Sequence, residues 1–336
     1  MHTEPATTPD ATALEALLAP LHDVAYTPAR CAALADTIAE IHALKRARHA
    51  VVLAHNYQRP EIFQVADFVG DSLELARQAT KVDADVIVFC GVHFMAETAK
   101  ILNPVKRVIL PDLRAGCSLA DAVTGEALAE RKAELRKVYP DLTVVGYVNT
   151  TADVKAECDA CCTSSNAARV VEAMPGRHVL FVPDKNLAAH VQSQTTKEVI
   201  AWDGNCYVHH QITPEQILAV KKGLPHLKVL AHPECRQDVL QVADAVLSTS
   251  GMVKYAKESP AHDFLIVTEC GLSDRLILEV PEKKFYKSCK LCQYMKMITL
   301  EGTRDALRDL APEITLDEDV RVRAKRALDR MLELAA

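Results

Sequence analysis

Glycine is scarce in this chain, with 11 among 336 residues, and no G-x-G-x-x-G turn, Walker A loop or H-E-x-x-H helix occurs. The common dinucleotide, P-loop and zincin readings therefore lose their sequence support. No stretch approaches the roughly 18 consecutive apolar residues of a membrane span. The N-terminus, MHTEPATTPDATALEALL, carries acids and prolines where a secretory leader needs a basic start and an apolar run. Neither sign of charge dominates, since 39 Lys and Arg against 45 Asp and Glu leave −6, and this offers no footprint for a nucleic acid. These absences lead us to expect a cytoplasmic protein with neither a membrane nor a nucleic-acid partner. With 49% hydrophobic and 25% charged residues the composition is that of a folded chain, long enough for two to three domains.

Cysteine, by contrast, is plentiful, with 11 residues, and in a reducing compartment these are not expected to build a disulfide framework. Metal binding or redox chemistry comes forward instead. Their placement follows an internal repeat. Apolar runs ending in polar clusters occur at VVLAHNY (51–57), TVVGYVN (143–149) and KVLAHPE (228–234), at intervals of 92 and 85 residues. Each is followed by a hydroxyl-bearing segment, around Ser72, around Ser164 and Ser165, and around Ser248 and Thr249, and then by a second apolar run: ADVIVFC, RHVLFVP and HDFLIVTE. Each unit then delivers one cysteine, Cys117, Cys206 and Cys292, at intervals of 89 and 86 residues.

Continuous β-branched runs separated by helical stretches such as SLELARQATKV predict buried parallel strands in βαβ units. The expected fold class is therefore α/β, with three similar small αβα domains, against the plain alternative of one larger doubly wound sheet, which gives no reason for three cysteines in register; a pseudo-threefold arrangement of the domains would bring their strand ends to one central pocket. The expected boundaries are an N-terminal extension and leading helix (1–50), three repeats (51–142, 143–227 and 228–301) and a C-terminal helical segment (302–336). Ligands of such sheets sit at the carboxyl ends of the strands, which is where His55, Tyr57, Tyr147, Asn149, His232 and Glu234 fall. Ser72, Ser164 and Thr249 fall where helices open, suiting a carboxylate or phosphate. Asp71 and Asp184 read as helix or turn caps, and His42, His49, His190 and His226 as structural.

Three cysteines in register suit a [4Fe-4S] cluster with one iron left open to substrate, against the plain alternative that each is a small buried hydrophobe. Two further readings stay open. Cys158, Cys161 and Cys162 together with Cys289-x-x-Cys292 could be halves of a zinc site, although 127 residues separate them, and Cys289 could form a redox pair with Cys292. Cys31, Cys90, Cys235 and Cys270 read as core packing. Glu234, at a strand end beside candidate metal and anion sites, is placed as a general acid or base would be.

The segments AHNYQRPEI, FVGDSLELA, FMAETAKILNP, LPDLRAGCSLAD, YVNTTADVKA, CTSSNA, FVPDKNLA, WDGNCYVH, AHPEC, STSGM and CQYMKMITLE together closely resemble the quinolinate synthase family of bacterial NAD biosynthesis. The resemblance implies three α/β domains around a [4Fe-4S] cluster held by Cys117, Cys206 and Cys292. It implies a transferase that condenses iminoaspartate with dihydroxyacetone phosphate, and a possible transient contact with the enzyme that makes iminoaspartate. Substrate contacts are implied at His55, Ser72, Tyr147, Asn149, Ser164, His232, Glu234 and Thr249, with the adjoining Val148, Pro233 and Ser248 included in the set. Proton transfers are assigned to Glu234 and Tyr57, with His232 and His209 beside them. Cys289 resembles an extra cysteine of some members, where a disulfide could affect activity. A cluster-bearing regulator without turnover is the remaining alternative; it would leave the hydroxyls at the strand ends unexplained.

Overall fold

The apolar runs become the paired central strands of three separate sheets. A computed structural model describes residues 9–334. The first sheet holds β1 (Ala50–His55), β2 (Phe68–Gly70), β3 (Val86–Cys90) and β4 (Arg107–Ile109). The second holds β5 (Thr143–Tyr147), β6 (Ala160–Cys162), β7 (His178–Val182) and β8 (Glu198–Ala201). The third holds β9 (Lys228–Ala231), β10 (Ala245–Val246), β11 (Asp263–Val267) and β12 (Lys284–Lys287). Strand order is the same in all three, β2-β1-β3-β4, β6-β5-β7-β8 and β10-β9-β11-β12, and every pair is parallel. The α/β class and the threefold repeat read from the sequence are thus present. The sequence reading identified only the two central strands of each sheet. The outer strands run two to four residues, and several face solvent, so they carry no long apolar signal.

One residue type fastens each sheet in the same way. Asp67, Asp159 and Asp244 each precede the second strand of their repeat. Their carboxylates accept the backbone N–H of Val52, Val144 and Val229 at 2.7, 2.7 and 2.9 Å. Their own N–H groups donate to the carbonyls of the same three valines. Each carboxylate also faces a cation: Lys45 at 2.8 Å, Arg136 at 3.7 Å, and Lys221 at 3.2 Å with Lys228 at 3.4 Å. The spacing of the three aspartates equals the repeat interval, which fixes the structural equivalence of positions used below.

Caps set the helices that face the strand ends. Asp71 caps the helix Ser72–Lys81 in a reciprocal capping box with Glu74, and Asp184 caps Lys185–Gln192, as expected. Ser248 caps Thr249–Glu258, and Glu269, equivalent to Asp184, caps Cys270–Glu279. The leading helix spans Pro28–Ala47 and buries Leu34, Ile38 and Ile41. The expected extension is more than that from Ala11 on: the helix Ala11–Leu18 buries Leu14 and Leu18 against the leading helix, because its apolar residues recur at helical spacing. Residues 1–8 of that extension lie outside the described residues. Helix Leu300–Asp309, which straddles the boundary drawn after residue 301, packs on Pro28–Ala47. The terminal helix Glu318–Leu334 buries Ala324, Ala327, Leu328 and Met331 and packs on the helix Ala152–Ala156 and on β6, matching the packed amphipathic helix expected there.

Candidate active site

Each first strand ends in a triplet whose first and third side chains turn into one shared cavity: His55 and Tyr57, Tyr147 and Asn149, His232 and Glu234. The chain turns or bends at each triplet, and the middle residues Asn56, Val148 and Pro233 are buried off the wall. The cavity encloses about 70 Å³, and Ser72, Ser164, Thr249, His209, Cys117, Cys206 and Cys292 complete the set of expected residues on its wall. Among the described residues no lysine or arginine lines it. Histidines, hydroxyls and the opening turns of two helices therefore supply its hydrogen-bond donors toward an anion.

Glu234 is the centre of the polar network. It is 3% exposed, and its Oε1 accepts the Tyr147 hydroxyl at 2.6 Å and the Asn149 amide at 3.4 Å. Its Oε2 lies 2.7 Å from His209 Nδ1 and 3.9 Å from His232 Nδ1. Burial alone would raise this carboxyl, but His209 beside it and the hydrogen bonds from His209 and Tyr147 outweigh burial and hold it below the usual carboxylate range. Behind Glu234, Thr268 Oγ1 lies 2.8 Å from His209 Nε2 and 2.5 Å from the Tyr57 hydroxyl. A continuous hydrogen-bonded line thus runs from Tyr57 through Thr268 and His209 to Glu234, crossing all three repeats.

His55 and His232, equivalent in the first and third repeats, are both fixed as neutral rings. Burial brings each down to about 3. The N–H groups of Tyr57 and Glu234 donate to their Nδ1 atoms at 3.2 and 3.4 Å, so each neutral ring carries its proton on Nε2. The phenols of Tyr57 and Tyr147 are pushed well up by burial and by the nearby Glu234 carboxylate, so both stay protonated donors. Asn149 Oδ1 is buried without a hydrogen-bond partner among the described residues.

Three expected substrate contacts do not reach the cavity wall. Val148 and Pro233 are the middle residues of their triplets and turn into the packed layer behind it. The Ser248 hydroxyl accepts Gly251 N–H and donates to Asp71 Oδ2, which holds it at the helix start. The cysteine pairing also differs. Cys270, expected in the core, is bonded to Cys289, so Cys289 is not paired with Cys292, which remains free on the cavity wall. Strand β12 brings residue 289 beside the start of the helix that Cys270 opens, whereas Cys292 turns inward with its N–H on Glu269 Oε1 at 3.1 Å. Cys158 and Cys161, read from the sequence as part of a possible zinc half-site, are packing residues: Cys158 Sγ fills the space over Gly146 and bonds the Val154 carbonyl, and Cys161 is fully buried on β6.

Sequence reasoning missed Thr268, Glu269, Tyr207 and Tyr294. Glu269 is fully buried and receives Gly271 N–H, Cys292 N–H and the Lys296 ammonium, so it orders the segment that carries Cys292. Its equivalence to Asp184 was the available signal. Tyr207 and Tyr294 meet edge to face at 6.3 Å just beyond two of the cysteines.

Comparison with known proteins gives a consistent result. The family profile described as "Quinolinate synthetase A protein" matches residues 39–333. The chain is 53% identical over 302 residues to the quinolinate synthase of Desulforudis audaxviator, covering 89% of this chain and 98% of that one. It is 51% identical over 300 residues to quinolinate synthase 1 of Methanosarcina acetivorans, covering 89% and 97% respectively.

Proposed function

The chain belongs to the quinolinate synthetase A protein family, and from that membership and the make-up of the cavity we propose that it condenses iminoaspartate with dihydroxyacetone phosphate to quinolinate, phosphate and water, as a transferase of NAD biosynthesis. The observation that carries this reading is that one cavity holds a cysteine from each repeat, Cys117, Cys206 and Cys292, beside the three strand-end triplets.

The donor set fits a [4Fe-4S] cluster with three protein ligands, because three half-buried free thiols share one wall. Burial pushes the Cys117 thiol up to about 12 and raises Cys206 and Cys292 as well, so these protons leave only when a cation takes their place. Bound there, the cluster would supply a Lewis-acidic iron with an open position.

The chain's own residues supply the rest. Glu234, ionised, accepts protons from the condensing carbon skeleton, and the line through His209 and Thr268 connects it to the Tyr57 hydroxyl as the opposite donor. His55 and His232 present Nε2–H to substrate oxygens. The hydroxyls of Ser72, Ser164 and Thr249, at or near helix starts, receive the carboxylates and the phosphate. Asn149, Tyr147 and the backbone beside Val148, Pro233 and Ser248 orient the bound skeleton. Among the described residues no helix is long and apolar enough to cross a membrane. We place the enzyme in the cytoplasm, where brief contact with the enzyme that makes iminoaspartate would limit loss of that unstable substrate.

The test is iron and acid-labile sulfide per chain on anaerobically purified protein, with quinolinate formation assayed on the same sample. About four of each, with activity, is expected for the wild type. Loss of both in Cys117→Ser is expected as well. Activity without iron, or full iron in the variant, overturns the reading.

A further inference from the structure

The hydrogen-bond network around Glu234 has a second chemical meaning. Cys206 Sγ, His209 Nδ1 and a Glu234 oxygen are the only group of three or more such donors drawn together among the described residues, all within 4.8 Å of one another. His209 Nδ1 is 3.2 Å from Cys206 Sγ and 2.7 Å from Glu234 Oε2. Tetrahedral donors around zinc stand about 3.2–3.6 Å apart, given bonds of about 2.0–2.3 Å. The third pair, Cys206 Sγ and the Glu234 oxygen, lies within 4.8 Å, so the carboxylate must swing by about an ångström, away from His209 and toward the thiol, to admit the ion.

The surroundings of the trio are those that metal ligands require. A ligating imidazole needs a partner for its other nitrogen, and His209 Nε2 lies 2.8 Å from Thr268 Oγ1. A ligating carboxylate needs its second oxygen held, and Glu234 Oε1 receives the Tyr147 hydroxyl at 2.6 Å. His209 and Glu234 are almost completely buried, so neither must be drawn in from solvent. The ligand types, one soft thiolate with one imidazole and one carboxylate, suit a borderline cation such as Zn²⁺. All three line the cavity, so a fourth position would face its interior.

We propose that Cys206, His209 and Glu234 form an alternative site for a single zinc ion, exclusive of the three-cysteine cluster because both need Cys206. The competing occupant rests on the functional reading above; the zinc site itself does not. On binding, the Cys206 thiol gives its proton to solvent and the ring proton of His209 sits on Nε2, donating to Thr268. The ion then holds Glu234 and His209, so the zinc-loaded protein is inactive. The site makes the enzyme's loading a competition between cluster assembly and free zinc.

The experiment titrates reduced, metal-free full-length protein with Zn²⁺ against a chromophoric chelator, and repeats it with Co²⁺ to read the thiolate charge-transfer band. One equivalent is expected. Cys206→Ser, His209→Asn and Glu234→Gln are each expected to weaken binding at least about a hundredfold. Thr268→Val, a conservative change outside the ligand set, is expected to weaken it about 10–100-fold. Cys117→Ser and Cys292→Ser are expected to bind zinc as the wild type does. Preloaded zinc is expected to block cluster reconstitution until a chelator removes it. No bound equivalent, equal loss in Cys117→Ser, or zinc and cluster bound together would each overturn the proposal. The cluster reading stands or falls separately, on the iron and sulfide content of Cys117→Ser.

Discussion

The two ends of the three sheets follow different rules. Near the amino ends the same residue does the same work three times: Asp67, Asp159 and Asp244 each tie an outer strand to the valine N–H of the neighbouring first strand. At the carboxyl ends equivalent positions diverge. His55 corresponds to Tyr147 and His232, and Tyr57 corresponds to Asn149 and Glu234. Each sheet must solve the same folding problem, so its fastening repeats. An asymmetric pair of substrates meets three walls at once, so the walls must differ. In a repeat protein of this kind, identity between units marks the scaffold and divergence marks the chemistry.

The sharpest way to break this comparison is Glu234→Gln. Glutamine keeps the shape and can still accept from Tyr147, but it can neither take up a proton as a base nor pair with His209 as an anion. Quinolinate formation is expected to fall at least about a hundredfold, the range of a lost general acid or base, while the thermal midpoint stays close to that of the wild type. A variant retaining a third or more of wild-type kcat would show that the divergence at the carboxyl ends is not catalytic.

A smaller effect is expected at Gly146 on β5, inside the scaffold. A Cβ built there would lie 2.6 Å from Cys158 Sγ, in a fully packed layer. Gly146→Ala is expected to cost about 1–3 kcal/mol by overpacking, measured by urea unfolding. Removing the sulfur makes room, so Gly146→Ala with Cys158→Ala is expected to regain most of that loss. If the double variant is no better, the sulfur contact is not the reason for glycine at this position.

How much of this was legible beforehand follows from the same contrast. The central strands, the repeat and the three cysteines could be read because buried parallel strands are continuous apolar runs and because register survives in spacing. Most of the cavity wall followed once strand ends were taken as the ligand-bearing side. Glu269 carried only the signal of its repeat equivalence to Asp184, and Thr268 carried none, since a threonine after a strand looks like an ordinary cap residue until the third repeat is folded against the other two. The Cys270–Cys289 bond was hidden for a related reason: residues 19 apart meet only because β12 lies beside β11. Val148, Pro233 and Ser248 adjoin wall residues in sequence but lie behind the wall, so any part they take in binding is through their backbone.

The smallest expected effects on activity come from the repeated aspartates, whose cost in stability is on the scale of Gly146→Ala, and their order sharpens the claim that they are scaffold. Each change to alanine leaves a valine N–H without its side-chain acceptor and removes an ion pair, a loss of about 1–3 kcal/mol. The three should not be equal. Lys45, the partner of Asp67, is the most enclosed of the cations at 10% exposure, so Asp67→Ala strands a nearly buried ammonium that keeps only the Val65 carbonyl. Asp244 shares two partly exposed lysines, and Asp159 faces a half-exposed arginine at 3.7 Å, where solvent already screens the attraction. Urea midpoints are therefore expected to fall most for Asp67→Ala, less for Asp244→Ala and least for Asp159→Ala, with kcat within about twofold of the wild type in all three. A large kcat loss in any of them would mean that the amino ends also shape the cavity, and the division between fastening and chemistry would fail at that repeat.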